Sequence, residues 1–228
     1  MLEPIAHDIP SLSDTVFDRI REAILTRNLL PGSRVVESTI AKQFSVSKTP
    51  VREAFLKLAQ IGLIEQDGRE SRVVSASRKA IEDSFQVRRV LEDEALKSLG
   101  NLSGVGLNSL LDLSQLSDES NLNEDSISRF HDARLFHLNL AKMTENTFLY
   151  NSITNLYDLT WILRHRDSRH SEQSVENAVQ HKQIAHLLAT GDIDSARVLM
   201  RDHLNQVLQA ALDEMIDEDS EDASRDLF

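Results

Sequence analysis

Three histidines stand where chemistry is possible. His137 shares a helical face with Ala133, Leu140 and Ala141. His181 shares one with Ala178, Ala185 and Leu188, and His203 one with Leu199 and Val207. Each is therefore expected on the inward side of a separate helix. A single inward histidine is commonly a satisfied core residue. Three on different helices of one bundle are harder to explain that way, because buried unpaired imidazoles cost free energy that a divalent cation offsets. Three neutral imidazoles suit Zn²⁺, with Ni²⁺ also compatible. A second constellation lies in S-K-T-P-V-R-E-A-F, residues 47–55. Either Ser47 or Thr49 can cap a helix there, with Pro50 in the first turn, where a missing N–H is harmless. Val51, Ala54, Phe55, Leu58 and Ile61 gather on one side of that helix, and Lys48, Thr49 and Arg52 on the other.

The elements that must position these residues differ along the chain. Val16, Ile20 and Ile24 mark an apolar stripe on a helix expected from about Asp14-Thr15 and stopped by Pro31-Gly32. A short helix follows, with Ser38 as expected N-cap and Ile40, Ala41 and Phe44 inward. The basic helix ends at Gly62. Two short strands, Leu63 to Gln66 and Ser71 to Val74, then flank Asp67-Gly68, a hairpin signal. Three helices and a hairpin describe a winged helix-turn-helix, which sets the N-terminal end of its second motif helix in the DNA major groove. Arg52 can pair bidentately with guanine, and Lys48 can contact guanine or phosphate. Arg69 and Arg72 on the wing would reach the backbone or minor groove.

Composition narrows the remaining classes. The 228 residues contain no cysteine, which excludes disulfides, thiolate metal sites and cysteine nucleophiles. Only 7 glycines and 4 prolines disfavour a turn-rich β fold or a glycine-rich nucleotide fold, so a mainly α protein is expected. No apolar run approaches the ~18 residues of a membrane span. The segment M-L-E-P-I-A-H-D lacks the build of a signal peptide, so a cytoplasmic protein without membrane contact is expected. The net charge of −12 argues at first against a polyanion partner. Residues 1–78, however, hold 11 basic and 10 acidic side chains, whereas 79–228 hold 14 and 27. Such asymmetry suggests two domains with different partners. The expected division is 1–76 for the winged helix, 77–216 for an all-α bundle of six to seven helices, and 217–228 for an acidic, frayed tail. Within the bundle the helical pattern covers about 80–99, 106–117, 124–143, 146–167, 173–190 and 193–216. Thr190-Gly191-Asp192 is a stop-and-start signal.

The run V-F-D-R-I-R-E-A-I-L, L-L-P-G-S-R-V-V-E-S, V-S-K-T-P-V-R-E-A-F-L-K-L and G-L-I-E resembles the GntR family of bacterial transcription regulators. The resemblance implies that Ser47, Lys48, Thr49 and Arg52 contact DNA. Two departures are visible. Ser38 stands where some relatives place an arginine, and the wing reads R-E-S where many read R-G-A, so Glu70 puts the wrong sign against phosphate. The segments R-R-V-L-E (88–92), A-R-L-F-H-L-N-L-A (133–141), H-K-Q-I-A-H-L-L (181–188) and A-R-V-L-M-R-D-H-L (196–204) resemble the effector-binding FCD domain of the FadR subfamily. That domain implies dimerisation, a small carboxylate effector, and a metal held by one Asp and three His. His137, His181 and His203 match the histidines. The Asp should lie four residues before His137, where this chain has Ala133. Asp132 is one place off, about 140° round the helix from His137; a π-bulge would turn it inward, and otherwise water or the effector carboxylate completes the shell. The resemblance also implies a pocket role for Arg88, and Arg134 and Arg164 are further candidates for holding a carboxylate.

The reading that follows is a homodimeric, ligand-controlled regulator of operator DNA, with repression relieved by the effector as the expected mode. The alternative is a metal-dependent hydrolase with a three-histidine zinc, for which no positioned general base is evident.

Overall fold

The computed structural model describes residues 11–67, 70–100, 126–164 and 171–225; for 67, 126–132, 171–175, 214 and 216–225 it describes the backbone alone. The chain divides into two compact units, Met1–Ala76 with Trp161–Leu163, and Ser77–Thr160 with Arg164–Phe228. Eight helices and three short strands are present among the described residues. The protein is mainly α, with a small sheet in the first unit.

The first unit opens with α1, Leu12–Leu25. It begins two residues before the expected Asp14, because Ser11 and Asp14 form a reciprocal capping box that satisfies the first free N–H groups. The helix also ends earlier than Pro31. Thr26 caps it, and Arg27 takes a left-handed conformation that turns the chain away. Strand β1, Arg34–Val35, leads into α2, Glu37–Phe44. Its N-cap is Val36, not Ser38, and the acidic Glu37 in the first turn faces the positive end of the helix dipole. Ser45 at φ 55° closes this helix and makes the tight turn to α3, Lys48–Gln60. Phe44, expected inward, is 37% exposed at the end of its helix. Ser47 occupies the N-cap position of α3 without a side-chain capping bond, and Pro50 falls in the first turn.

Val16, Ile20, Ile24, Ile40, Val51, Ala54, Phe55 and Leu58 are buried together where α1 and α2 pack on α3. Strands β2, Ile64–Asp67, and β3, Glu70–Val73, form the hairpin. β1 adds to its far side, giving an antiparallel sheet of order β1-β3-β2 with Arg34 opposite Arg72 and Glu65 opposite Arg72. This third strand was not anticipated. Two residues are too short for the alternation that sequence reading depends on.

The second unit is a helical bundle of α4, Arg78–Leu99; α5, Ser126–Met143; α6, Thr147–Leu163, as far as Thr160; α7, Ser171–Ala189; and α8, Ile193–Arg225. Helices start on side-chain caps: Ser77 accepts from Ala80 N–H, Asn146 from Leu149 N–H, and Asp192 from Ser195 N–H. Gly191 at φ +79° breaks α7 from α8, a conformation glycine adopts without the Cβ penalty. α6 stops at Leu163 rather than 167. α8 passes the expected end at 216 and continues through the acidic stretch to Arg225, since nothing between 193 and 225 is glycine or proline. The segment expected as helix 106–117 lies outside the described residues.

A core of Leu96, Leu99, Phe136, Leu140, Ile184, Ala185, Leu188, Ala196, Met200 and Leu204 ties α4, α5, α7 and α8 together. Truncating one of its leucines to alanine costs about 2–5 kcal/mol. Phe136 and Leu204 are chain neighbours of His137 and His203, and Ile184 sits one turn from His181. The same packing that stabilises the bundle thus aims the histidines.

Candidate metal centre and nucleic-acid face

The three imidazoles meet. His137 from α5, His181 from α7 and His203 from α8 are each about 2% exposed, and each offers a nitrogen such that all three lie within 4.8 Å of one another. His181 Nε2 is 3.2 Å from His203 Nε2. Two ligands at 2.0–2.1 Å from a tetrahedral zinc are separated by about 3.3 Å, so this pair is already at coordination distance. Phe136 stacks on His181 at 4.1 Å between centroids. Burial drives the basicity of all three histidines down, of His181 and His203 well below the usual range. The neutral imidazole that results is the form that ligates a metal. The donor set fits a borderline divalent cation.

Glu92, absent from the expected site, is the carboxylate closest to the cluster's chemistry. Its side chain is 4% exposed, its Oε1 accepts from Arg88 Nε at 2.5 Å, and its Oε2 lies 2.5 Å from His137 Nδ1. Burial would raise its pKa, but the charge of Arg88, with His137 adding to it, brings it to about 2. The spacing from Arg88 to Glu92 is an i,i+4 pair on the inward face of α4, between Phe85 and Leu96. That pattern was the available signal. Gln180 plays a comparable part at His203, its Oε1 lying 2.8 Å from Nδ1, with Gln206 Oε1 accepting from Gln180 Nε2 at 2.6 Å. Asp132, proposed as a fourth ligand, is helical, and its side chain lies outside the described residues. No π-helical turn occurs in α5.

Arg88, one of the three arginines expected to hold a carboxylate, packs on a residue that sequence reading missed. Tyr157 of α6 is buried, which pushes its hydroxyl pKa up, and Arg88, Arg164 and Arg134 each pull it back. The Arg88 guanidinium lies 4.4 Å from the Tyr157 ring, a cation–π contact, and that ring is 5.2 Å from His137. Arg134 Nε donates to Asp158 Oδ1 at 2.8 Å, with Asp158 fully buried. Arg164 is the C-cap of α6. Arg88 and Arg134 therefore already hold internal carboxylates.

The nucleic-acid face has the opposite character. Ser47, Lys48, Thr49 and Arg52 are all exposed on the first turns of α3, and no acidic residue occupies its first turn. Arg52 Nε and Nη2 donate to the two carboxylate oxygens of Glu37 at 3.3 and 3.2 Å. The fork geometry suited to guanine is preformed on a residue of α2. On the wing, Glu70 is flanked by Arg34 at 3.4 Å and Arg72 at 3.1 Å, and Arg72 also donates to Gly32 O at 3.3 Å. Arg69 lies outside the described residues.

Comparisons with known proteins give the family. Residues 12–74 match the gntR family of bacterial regulatory proteins, and residues 83–206, more than half of the chain, match the FCD domain. The chain belongs to the GntR family and carries an FCD domain; it is a transcriptional regulator of that class. It is 25% identical over 194 residues to an HTH-type transcriptional regulator of Streptomyces ambofaciens, covering 84% of this chain and 81% of that one. It is 24% identical over 209 residues to the transcriptional repressor RspR of Escherichia coli K12, covering 87% and 88%. The crystal structure of a GntR regulator from Rhodococcus sp. RHA1 superposes with a TM-score of 0.76 at 22% identity, over 89% of this chain and 98% of that one, and shares the fold. These relatives are named as transcriptional regulators. The hydrolase alternative gains no support: both oxygens of Glu92 are held by Arg88 and His137, so Glu92 is not placed as a base. No helix among the described residues is long and apolar enough to cross a membrane.

Proposed function

We infer that this protein is a cytoplasmic, homodimeric repressor whose grip on operator DNA is set by a small carboxylate bound beside a divalent metal, Zn²⁺ or Ni²⁺. The observation that carries the reading is the buried meeting of His137, His181 and His203, with Tyr157 and the Arg88 guanidinium packed beside His137. A metal on these imidazoles would supply a positive centre with positions left for an oxygen ligand. Arg88, Arg134 and Arg164 supply charge-assisted donors for the rest of a carboxylate. Binding there exchanges internal partners, since Glu92 and Asp158 already occupy Arg88 and Arg134. Such an exchange gives the effector a preference for one bundle arrangement, which is what any ligand needs to shift an equilibrium.

On the DNA side, Ser47, Lys48, Thr49 and Arg52 read the major groove, with Arg69 and Arg72 on the wing touching the backbone. Two copies related by a dyad fit a pseudo-palindromic site. Repression as the mode is supported by the likeness to RspR. The test is to select genomic fragments with the full-length protein and titrate the recovered DNA with and without Zn²⁺ and a panel of small organic acids. One fragment retained, and released by one acid, is expected; retention without sequence selectivity sinks the reading.

A further inference from the structure

A metal-binding imidazole must present a bare nitrogen, so the proton on its other nitrogen decides whether a cluster is a site. At His203, Nδ1 faces Gln180 Oε1 at 2.8 Å, and the Gln180 amide is fixed by Gln206. Nδ1 is therefore the donor, and Nε2 is left bare beside His181. At His137, Nδ1 faces Glu92 Oε2 at 2.5 Å. Glu92 comes from α4, 45 positions earlier in the chain. Its other oxygen is occupied by Arg88 Nε, and a guanidinium can only donate. A carboxylate has acceptors at both ends, so it serves Arg88 and His137 together. Its oxygens are not part of the group of ligand atoms within 4.8 Å.

We propose that Glu92 is a positioning residue for the metal centre: it holds His137 in the Nδ1–H tautomer, with Nε2 bare and turned to the other two imidazoles, while Arg88 holds Glu92. The proposal rests on the metal reading above. It deepens that reading by making one carboxylate common to the arginine that faces the effector and the histidine that faces the metal. Its sharpest consequence is chemical. In Glu92→Gln the side chain keeps its shape but has one acceptor end and one donor end. Arg88 must take the oxygen, which leaves the amide NH₂ against His137 Nδ1. Nδ1 then becomes an acceptor, the proton moves to Nε2, and the ligand is lost. Replacing Arg88 as well frees the amide to present its oxygen to His137.

The experiment uses full-length, metal-free, ¹⁵N-labelled protein. Long-range imidazole ¹H–¹⁵N correlations, assigned with His137→Gln, report the tautomer, and titration with Co²⁺ followed by its visible absorption reports the affinity. The wild type should show Nδ1–H at His137. Glu92→Gln should show Nε2–H there, with Co²⁺ affinity reduced about 10–100-fold, the usual cost of losing such a support. The double variant Arg88→Met, Glu92→Gln should recover the Nδ1–H tautomer and much of the affinity. A role for Glu92 in stability alone moves neither the tautomer nor its rescue. Nε2–H in the wild type, or an unchanged tautomer and affinity in Glu92→Gln, overturns the proposal. If Glu92→Gln does not fold because Arg88 is left without a charge partner, the double variant and the wild-type tautomer still decide. If the wild type takes up no Co²⁺ but shows Nδ1–H that responds as stated, the metal reading fails, and with it the role toward a metal, while control of the His137 tautomer by Glu92 stands.

Discussion

The recognition end of α3 and the histidine cluster of the bundle use polar side chains in opposite ways. Ser47, Lys48, Thr49 and Arg52 stand in solvent, and among the described residues Glu37 pairs with Arg52, which remains 67% exposed. His137, His181 and His203 are buried, and their neighbours are fixed by packing and by Glu92 and Gln180. A polyanion is captured by cations that stay hydrated and exchange one partner for another at little cost. A metal ion is captured by neutral nitrogens that have already lost their water and are held in place by the fold. The difference teaches where each function is vulnerable. The recognition end of α3 depends on charge and on local helix geometry, and the histidine cluster on tertiary packing.

The largest effect should fall on the cluster. His181→Ala removes one of three nitrogens at its centre, and calorimetric Zn²⁺ titration should lose its saturable step while DNA binding in the absence of metal persists. Saturable binding of undiminished affinity would remove His181 from the site. Next in size is the recognition helix. Arg52→Glu places a carboxylate opposite Glu37 and loses the contact to a base, at a cost of about 1–3 kcal/mol per half-site, or about 5–150-fold. An unchanged titration on the selected operator would break the comparison from the other side, and zinc binding should be indifferent to this change.

Acidification separates the regions further. The three histidines have folded-state pKa values depressed below the ordinary 6.5, so their contribution to metal-free stability is present above that pH and is lost as pH falls below it. Glu92, at about 2 against an ordinary 4.5, adds a contribution lost between those values. The bundle's melting temperature should therefore decline from about pH 6.5 downward, and Zn²⁺ should oppose the decline where it still binds. A flat profile from pH 7 to 5 would show the imidazoles to be accessible to protons. The smallest effect is local: Ser11→Ala removes the capping box of α1 and should cost about 1 kcal/mol in thermal stability, with the metal centre unaffected.

Legibility in the sequence followed the same division. The basic end of α3 was readable because Val51, Ala54, Phe55 and Leu58 define the buried side by spacing alone, which leaves Lys48, Thr49 and Arg52 outside. The bundle histidines were readable one at a time for the same reason. Gly191 and Asp192 announced the break between α7 and α8. The start of α1 was missed although Ser11 and Asp14 spell a capping box, and the start of α2 was misplaced because Ser38 looked a better cap than Val36. β1 was invisible, since two residues carry no period.

Glu92, Gln180, Tyr157 and Asp158 illustrate the deeper limit. Each is polar, each lies within a helical run, and each is buried by a partner far away in the chain. Periodicity assigns a residue to a face, and polarity then argues for the outer one. The approach of Arg88 and His137 makes an inward Glu92 tolerable, and that of Arg134 contributes the same to Asp158. The sequence alone determined the helix faces, the two-part chain and the inward side of His137, His181 and His203, because those depend on spacing within single elements, and its motifs carried the family. The tertiary structure decided which buried carboxylate serves which histidine or arginine, because that pairing joins α4 to α5 and α5 to α6. A buried charge is stable only where the fold brings its counterpart within hydrogen-bond reach.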